Sequence, residues 1–312
     1  MSTATDKGTV FVGIAATATV AAFFLFLSVP AAEGIVIRHD VADQEYVDLG
    51  AEFSTVGRLT SSTSLGSGVL IHPFWVLTAA HLTTPNQFAL GDQVYTVGEF
   101  HRHPDWDGQV TNGDDLALAK LSEPVSGIAP SNWYTGHGEL GEIGISVGFG
   151  NTGTGLTGQQ SRTTGTRRAA ENTLERLGSG APHTPPRPPD DTLEYLFNEP
   201  GDGNVRALEG MAAQGDSGGP IFVDFGEGYE IAGIHSFIWN MDGGSLATYG
   251  DVVVSARVAV YDEWITATVP EPRMWSLLAG LIVLGIAGFR CRGGATLTTR
   301  RVRLSSAIGR RR

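Results

Sequence analysis

The sequence predicts an all-β protein, a sandwich or a barrel, on three observations. Apolar residues between about Ile35 and Val269 come in short or alternating runs punctuated by Gly, Asn, Asp and Pro, the pattern of strands joined by turns. Glycine is abundant, 42 of 312 residues, and only 17% of residues are charged, which suits a turn-rich β-protein better than a helical bundle. No alternation of strand-like and helix-like units is visible, so a parallel α/β sheet is not expected.

In chain order the strand candidates are SGVLIH (67–72), FWVLTAAH (74–81), DQVYTVGEF (92–100), DDLALAKL (114–121), EIGISVGFG (142–150), TLEYLF (192–197), GPIFVDF (219–225), YEIAGIHSF (229–237) and DVVVSARV (251–258). YDEWITATV (261–269) reads as a brief closing helix, and TPNQFAL (84–90) as at most one more helical turn. The stretch 158–191, rich in Gly, Ser, Thr, Arg and Pro, reads as the least structured part, a flexible loop whose PHTPPRPPDD portion (182–191) is exposed and polyproline-like. No repeat of fixed period is apparent.

The formal charge of −12 hides a segregation of signs. Residues 290–312 carry eight Arg and no acid, which leaves 13 basic against 33 acidic residues in the rest, a balance of −20. Such a body does not suit nucleic acid, whose phosphates demand Lys and Arg. The single cysteine, Cys291, excludes any intramolecular disulfide. The eight histidines are scattered, with no metal-ligand spacing, so neither metal nor cofactor is expected.

Both ends carry apolar segments that concern sorting rather than fold. Lys7 precedes VFVGIAATATVAAFFLFLSV (10–29), and PAAEG follows with the small residues a signal peptidase needs. Residues 1–32 therefore read as a signal peptide, with an uncleaved N-terminal anchor as the rival. Residues 274–289 form an uncharged, largely apolar run ended by Arg290, marginal for a membrane span yet flanked like one. The order Val269-Pro270-Glu271-Pro272, apolar run, then arginines resembles the PEP-CTERM sorting tail of bacterial exported proteins. That resemblance implies export, membrane retention through 269–292, and sorting or processing machinery as a partner at the cell envelope. It departs from the pattern in continuing past the basic cluster as a tail, 293–312, read as cytoplasmic.

The chemistry gathers at GDSGGP (215–220). A serine among glycines is often only a tight turn. As a nucleophile it needs a base to take its proton and a third group to fix that base's tautomer. His81 closes WVLTAAH, where a strand runs into a turn of small residues, and Asp115 opens the apolar run LALAKL. Each alone is more often structural, and Asp114 is the neighbouring alternative to Asp115. A nucleophile elbow of the α/β-hydrolase kind would need the order serine, acid, histidine, and only Asp224 and His235 follow Ser217.

TAAH, DLAL and GDSGGP in the order His, Asp, Ser resemble a trypsin-like, chymotrypsin-family serine protease over about 35–268. GFGNTG (148–153) is similar to that family's Gly-Trp-Gly-x-Thr turn. The resemblance implies two six-stranded antiparallel β-barrels with a catalytic cleft between them, and a protein or peptide substrate. It assigns His81 as general base and acid, Asp115 as its orienting carboxylate and Ser217 as nucleophile. The N–H groups of Gly215 and Ser217 then form the oxyanion hole. A catalytically silent, surface-anchored binding protein on the same fold is the alternative.

The departures are informative. Positions where the family carries cysteines hold Leu82, approximately Gly66, and Ala213. The base of the specificity pocket falls on Met211, with walls from Ser236, Phe237, Ile238 and Val253, so the expectation is a shallow apolar pocket without tryptic preference. The family's activation pairs a new N-terminal amine with the acid beside the nucleophile, here Ile35 with Asp216. Ile37-Arg38 stand where two glycines usually follow.

Overall fold

The computed structural model describes residues 34–178 and 190–269; the N-terminal apolar run, the proline-rich portion of the 158–191 stretch and the PEP-CTERM-like tail lie outside the described residues. The chain enters through a two-residue strand β1 (Val36–Ile37) and a helix α1 (Asp43–Ala51). Asp43 and Glu45 in the first turn of α1 complement its dipole. Arg168 clamps Asp43 through two bonds of 2.7 and 2.6 Å, and Tyr46 donates 2.9 Å to the Glu209 carbonyl.

The next six strands are β2 (Val56–Thr60), β3 (Leu65–His72), β4 (Trp75–Thr78), β5 (Gln87–Leu90), β6 (Gln93–Arg102) and β7 (Ala117–Leu121). They close a barrel in the order β2-β3-β4-β7-β6-β5. Val56, Leu59, Val69, Leu77, Phe88 and Leu118, all buried, fill its interior. Closure leaves no unpaired edge in this half.

The second half contains β8 (Ile143–Gly148), β9 (Gly153–Thr154), β10 (Gly158–Gln159), β11 (Arg168–Thr173), β12 (Arg176–Gly178) and β13 (Thr192–Leu196). It continues through β14 (Gly210–Met211), β15 (Pro220–Asp224), β16 (Tyr229–Trp239) and β17 (Val252–Arg257). Seven of these form an antiparallel sheet, β11-β8-β15-β16-β17-β13-β12, where six had been expected. The added edge is β12, held on β13 by backbone pairing and by Arg176 on Glu194 at 2.6 Å. A small sheet, β10-β9-β1-β14, ties the chain's entry to the strand that leads into the serine turn.

All nine strand runs named from the sequence become strands, and the closing helix is α2 (Asp262–Thr268). Tyr261 and Trp264 press ring edges on His103, and Trp133 donates 2.7 Å to Asp262, so this helix seals the first barrel. Two readings are corrected. TPNQFAL carries strand β5, because Phe88 and Leu90 alternate into the barrel while Gln87 faces out. The stretch 158–191 is not all loop: β10, β11 and β12 lie in it, with Ala169 and Ala170 fully buried and Asn172 bonded to the Leu196 carbonyl.

Candidate active site

The strand β4 ends at Thr78 and passes through Ala79 and Ala80, both fully buried, to His81. Methyl side chains let this turn lie flat under the barrel rim, which leaves the imidazole 24% exposed. Asp115, 1% exposed, lies at the entry to β7. One of its oxygens accepts the His81 backbone N–H at 2.8 Å. The other lies 2.6 Å from His81 Nδ1 and accepts the Ser236 hydroxyl at 2.5 Å. A carboxylate cannot donate, so Nδ1 carries the proton and Nε2 is left as the basic nitrogen. Asp114, the neighbouring alternative, turns away to His103 at 3.7 Å.

The serine turn comes from the second half and docks on the first. Gly215 and Gly218 take φ of 95° and 81°, left-handed values that favour glycine. A Cβ on Gly218 would also collide with Thr78 and with the backbone of Ala79, in the turn leading to His81. Ser67 on β3 fastens the two halves: its N–H donates 2.8 Å to the Ser217 carbonyl and its hydroxyl 3.2 Å to the Gly215 carbonyl. The N–H groups of Asp216, Gly218 and Gly219 are all bonded within the fold. Among the described residues those of Gly215 and Ser217 have no partner. Both residues are half-buried and reach the surface, so this pair is available to a ligand oxygen. No hydrogen bond joins Ser217 to His81 among the described residues, a contact that commonly tightens only with substrate bound.

Asp216 is fully buried behind the turn. It accepts N–H bonds from Gly150 at 2.6 Å, Ala213 at 2.8 Å and Ile35 at 3.2 Å. Burial dominates these bonds and pushes its carboxyl up to about 7. Gly148 and Gly150, in the GFGNTG turn, make room for it, since a Cβ at either would strike the carboxylate. The structure thus brings together Ile35 and Asp216, the pair that the resemblance implies.

Beside Ser217 lies a cavity of about 200 Å³. Ser236, Phe237, Ile238 and Val253 line it, as expected, together with Ala212, Ala213 and His235. Met211 is not on its wall: Met211 pairs with Val36 and packs in the core behind, because strand pairing turns its side chain away. Sequence reasoning gave Ser236 only a wall position and missed its bond to Asp115. It missed His235 as a wall residue altogether, and it missed Ser67, whose only signal was a serine inside an apolar strand.

Gly66 and Leu82 do face one another: a Cβ on Gly66 would sit 2.6 Å from Leu82 Cδ1. Apolar contact fills the place where the resemblance expects a bridge. Among the described residues His103, Asp105 and Asp114 bring potential metal-ligand atoms within 4.8 Å of one another. His103 is packed between Tyr261 and Trp264, which accounts for the cluster as packing.

Fold and site together define a chymotrypsin-like protein, mostly β with strands closed into barrels. The family profile described as Trypsin matches residues 50–265, and the chain belongs to the trypsin family. Among curated relatives, a Tryptase of Mus musculus is 40% identical over 73 residues, 19% of this chain and 26% of the relative. A Trypsin of Simulium vittatum is 34% identical over 91 residues, 26% of this chain and 35% of the relative. The chain thus spans about a quarter to a third of the length of these relatives. A solved structure, titled neuropsin, a serine protease expressed in the limbic system of mouse brain, shares the fold with a TM-score of 0.53. It is 21% identical and aligns over 69% of this chain and 94% of its own.

Proposed function

We propose that this chain is an exported serine endopeptidase acting through an acyl-enzyme. The observation that carries the reading is the pairing of two things at one seam: an imidazole oriented by a buried carboxylate, and a serine turn with two amides that have no partner among the described residues. Ser217 Oγ attacks the peptide carbonyl carbon while His81 Nε2 takes its proton. The oxyanion that develops receives the Gly215 and Ser217 N–H groups. His81 then protonates the leaving amine, and water, deprotonated by the same nitrogen, releases the acid and restores Ser217. Asp115 stays ionised throughout and holds the imidazolium.

Maturation by cleavage between Gly34 and Ile35 belongs to the same proposal. The Ile35 nitrogen already lies 3.2 Å from the Asp216 carboxylate, so a freed α-ammonium would meet a negative partner without rearrangement. The apolar run at 10–29 and the tail from Val269 support export and retention at a bacterial envelope. The test is labelling by an organophosphonate. Wild-type chain is expected to take one equivalent, lost in Ser217→Ala and in His81→Ala. Equal labelling of Ser217→Ala and wild type would refute the assignment.

A further inference from the structure

His235 is the one ionisable residue on the wall of the cavity beside Ser217, among the described residues. Its main chain is committed: the carbonyl accepts from Gly218 and the N–H donates to Gly219, each at 2.9 Å. That fixes its backbone directly under the serine turn. In the ring, Nδ1 lies 3.2 Å from the Ser255 hydroxyl, while Nε2 is buried and has no hydrogen-bond partner among the described residues. A buried ring nitrogen with no partner among the described residues costs free energy, and an occupant that bonds it recovers that cost.

From this we infer that the cavity takes an acidic side chain, with His235 Nε2 as the donor that selects the residue before the scissile bond. This rests on the endopeptidase reading above. Three kinds of occupant can be ranked by what they leave unpaired. A lysine or arginine would bring a cation to a wall that carries no carboxylate. An apolar residue would suit Ile238 and Val253 and leave Nε2 orphaned. A carboxylate satisfies it, and a hydrogen bond to an ionised acceptor is roughly twice as strong as a neutral one. Burial keeps the empty-pocket imidazole neutral, pushed down to about 3, so no standing charge needs a counterion before substrate arrives. With the proton on Nε2, Nδ1 accepts from the Ser255 hydroxyl. Nε2 itself is shielded from water.

The test uses the mature chain and four peptide anilides identical except for Glu, Gln, Leu or Lys before the scissile bond. The expected kcat/KM for Glu exceeds those for Gln, Leu and Lys by about tenfold or more. In His235→Val, with folding checked by near-ultraviolet circular dichroism, Glu is expected to fall below Leu. Preference of the wild type for Leu or Lys overturns the inference, as does an unchanged Glu-to-Leu ratio in a folded His235→Val chain. Organophosphonate labelling without hydrolysis of the Glu peptide overturns the inference and leaves the endopeptidase reading standing. Absence of both labelling and hydrolysis removes that reading and the inference with it.

Discussion

The carboxyl of Asp216 is the most exacting test of how this fold handles charge. In the uncleaved chain it is fully buried and its three hydrogen bonds come from neutral backbone N–H groups. Burial raises it from 3.8 to about 7. An acid with a raised folded-state pKa contributes stability that is fully present below its unfolded value, and loses it as pH rises through the folded value. The window is therefore about pH 4 to about pH 7, and the loss is on the order of 4 kcal/mol, at 1.36 kcal/mol per unit. Cleavage before Ile35 would place an ammonium on this carboxylate, lower its pKa and abolish the loss. The assay is urea unfolding of Ser217→Ala precursor at several pH values, against the same chain carrying Asp216→Asn. Asn cannot titrate, so the stability difference between the two should drift by about 4 kcal/mol across that window. A difference that stays constant with pH would refute the reasoning.

Other expectations follow from the same geometry. His235, buried and pushed down to about 3, stays neutral while the unfolded imidazole protonates near 6.5, so it should subtract stability as pH falls from about 6.5 to about 3. Urea unfolding of His235→Val should show that dependence gone. Asp115→Asn should lower kcat by about 10⁴ through loss of the correct His81 tautomer, while phosphonate labelling slows in parallel. Ser236→Ala removes one bond to a buried carboxylate, and kcat/KM should drop roughly 10- to 100-fold with stability little changed. Arg257 holds Glu139, fully buried, through two bonds of 2.7 and 2.8 Å. Arg257→Met should cost about 3–5 kcal/mol in denaturant unfolding by stranding that carboxylate.

The strands were legible because each carries its own apolar run between turn residues, and the site was legible because TAAH, DLAL and GDSGGP each mark a tight backbone feature. Helix α1 was invisible to that reading: only Tyr46 and Gly50 of DQEYVDLGA are buried, so it has no apolar stripe to notice. Strand β11 escaped for the opposite reason. RAAENT looks polar, yet Arg168 and Asn172 are buried, their desolvation offset in part by Asp43 and the Leu196 carbonyl. The specificity wall was half read. Counting back from Ser217 pointed to Met211, but pairing with Val36 commits that side chain to the core and leaves Ala212, Ala213 and His235 at the cavity. Partners that lie far apart in sequence decide all three cases, and a local pattern holds no record of them.

The central claim is an acyl-enzyme on Ser217, and trapping that species tests it most directly. Mature chain mixed with an activated peptide ester and quenched in acid after milliseconds is to be digested and mapped by mass spectrometry. The account predicts one acyl group on the peptide that contains Ser217, discharged by water at neutral pH and absent in His81→Ala. Steady turnover of the ester with no adduct on Ser217, or an adduct on another residue, would contradict it.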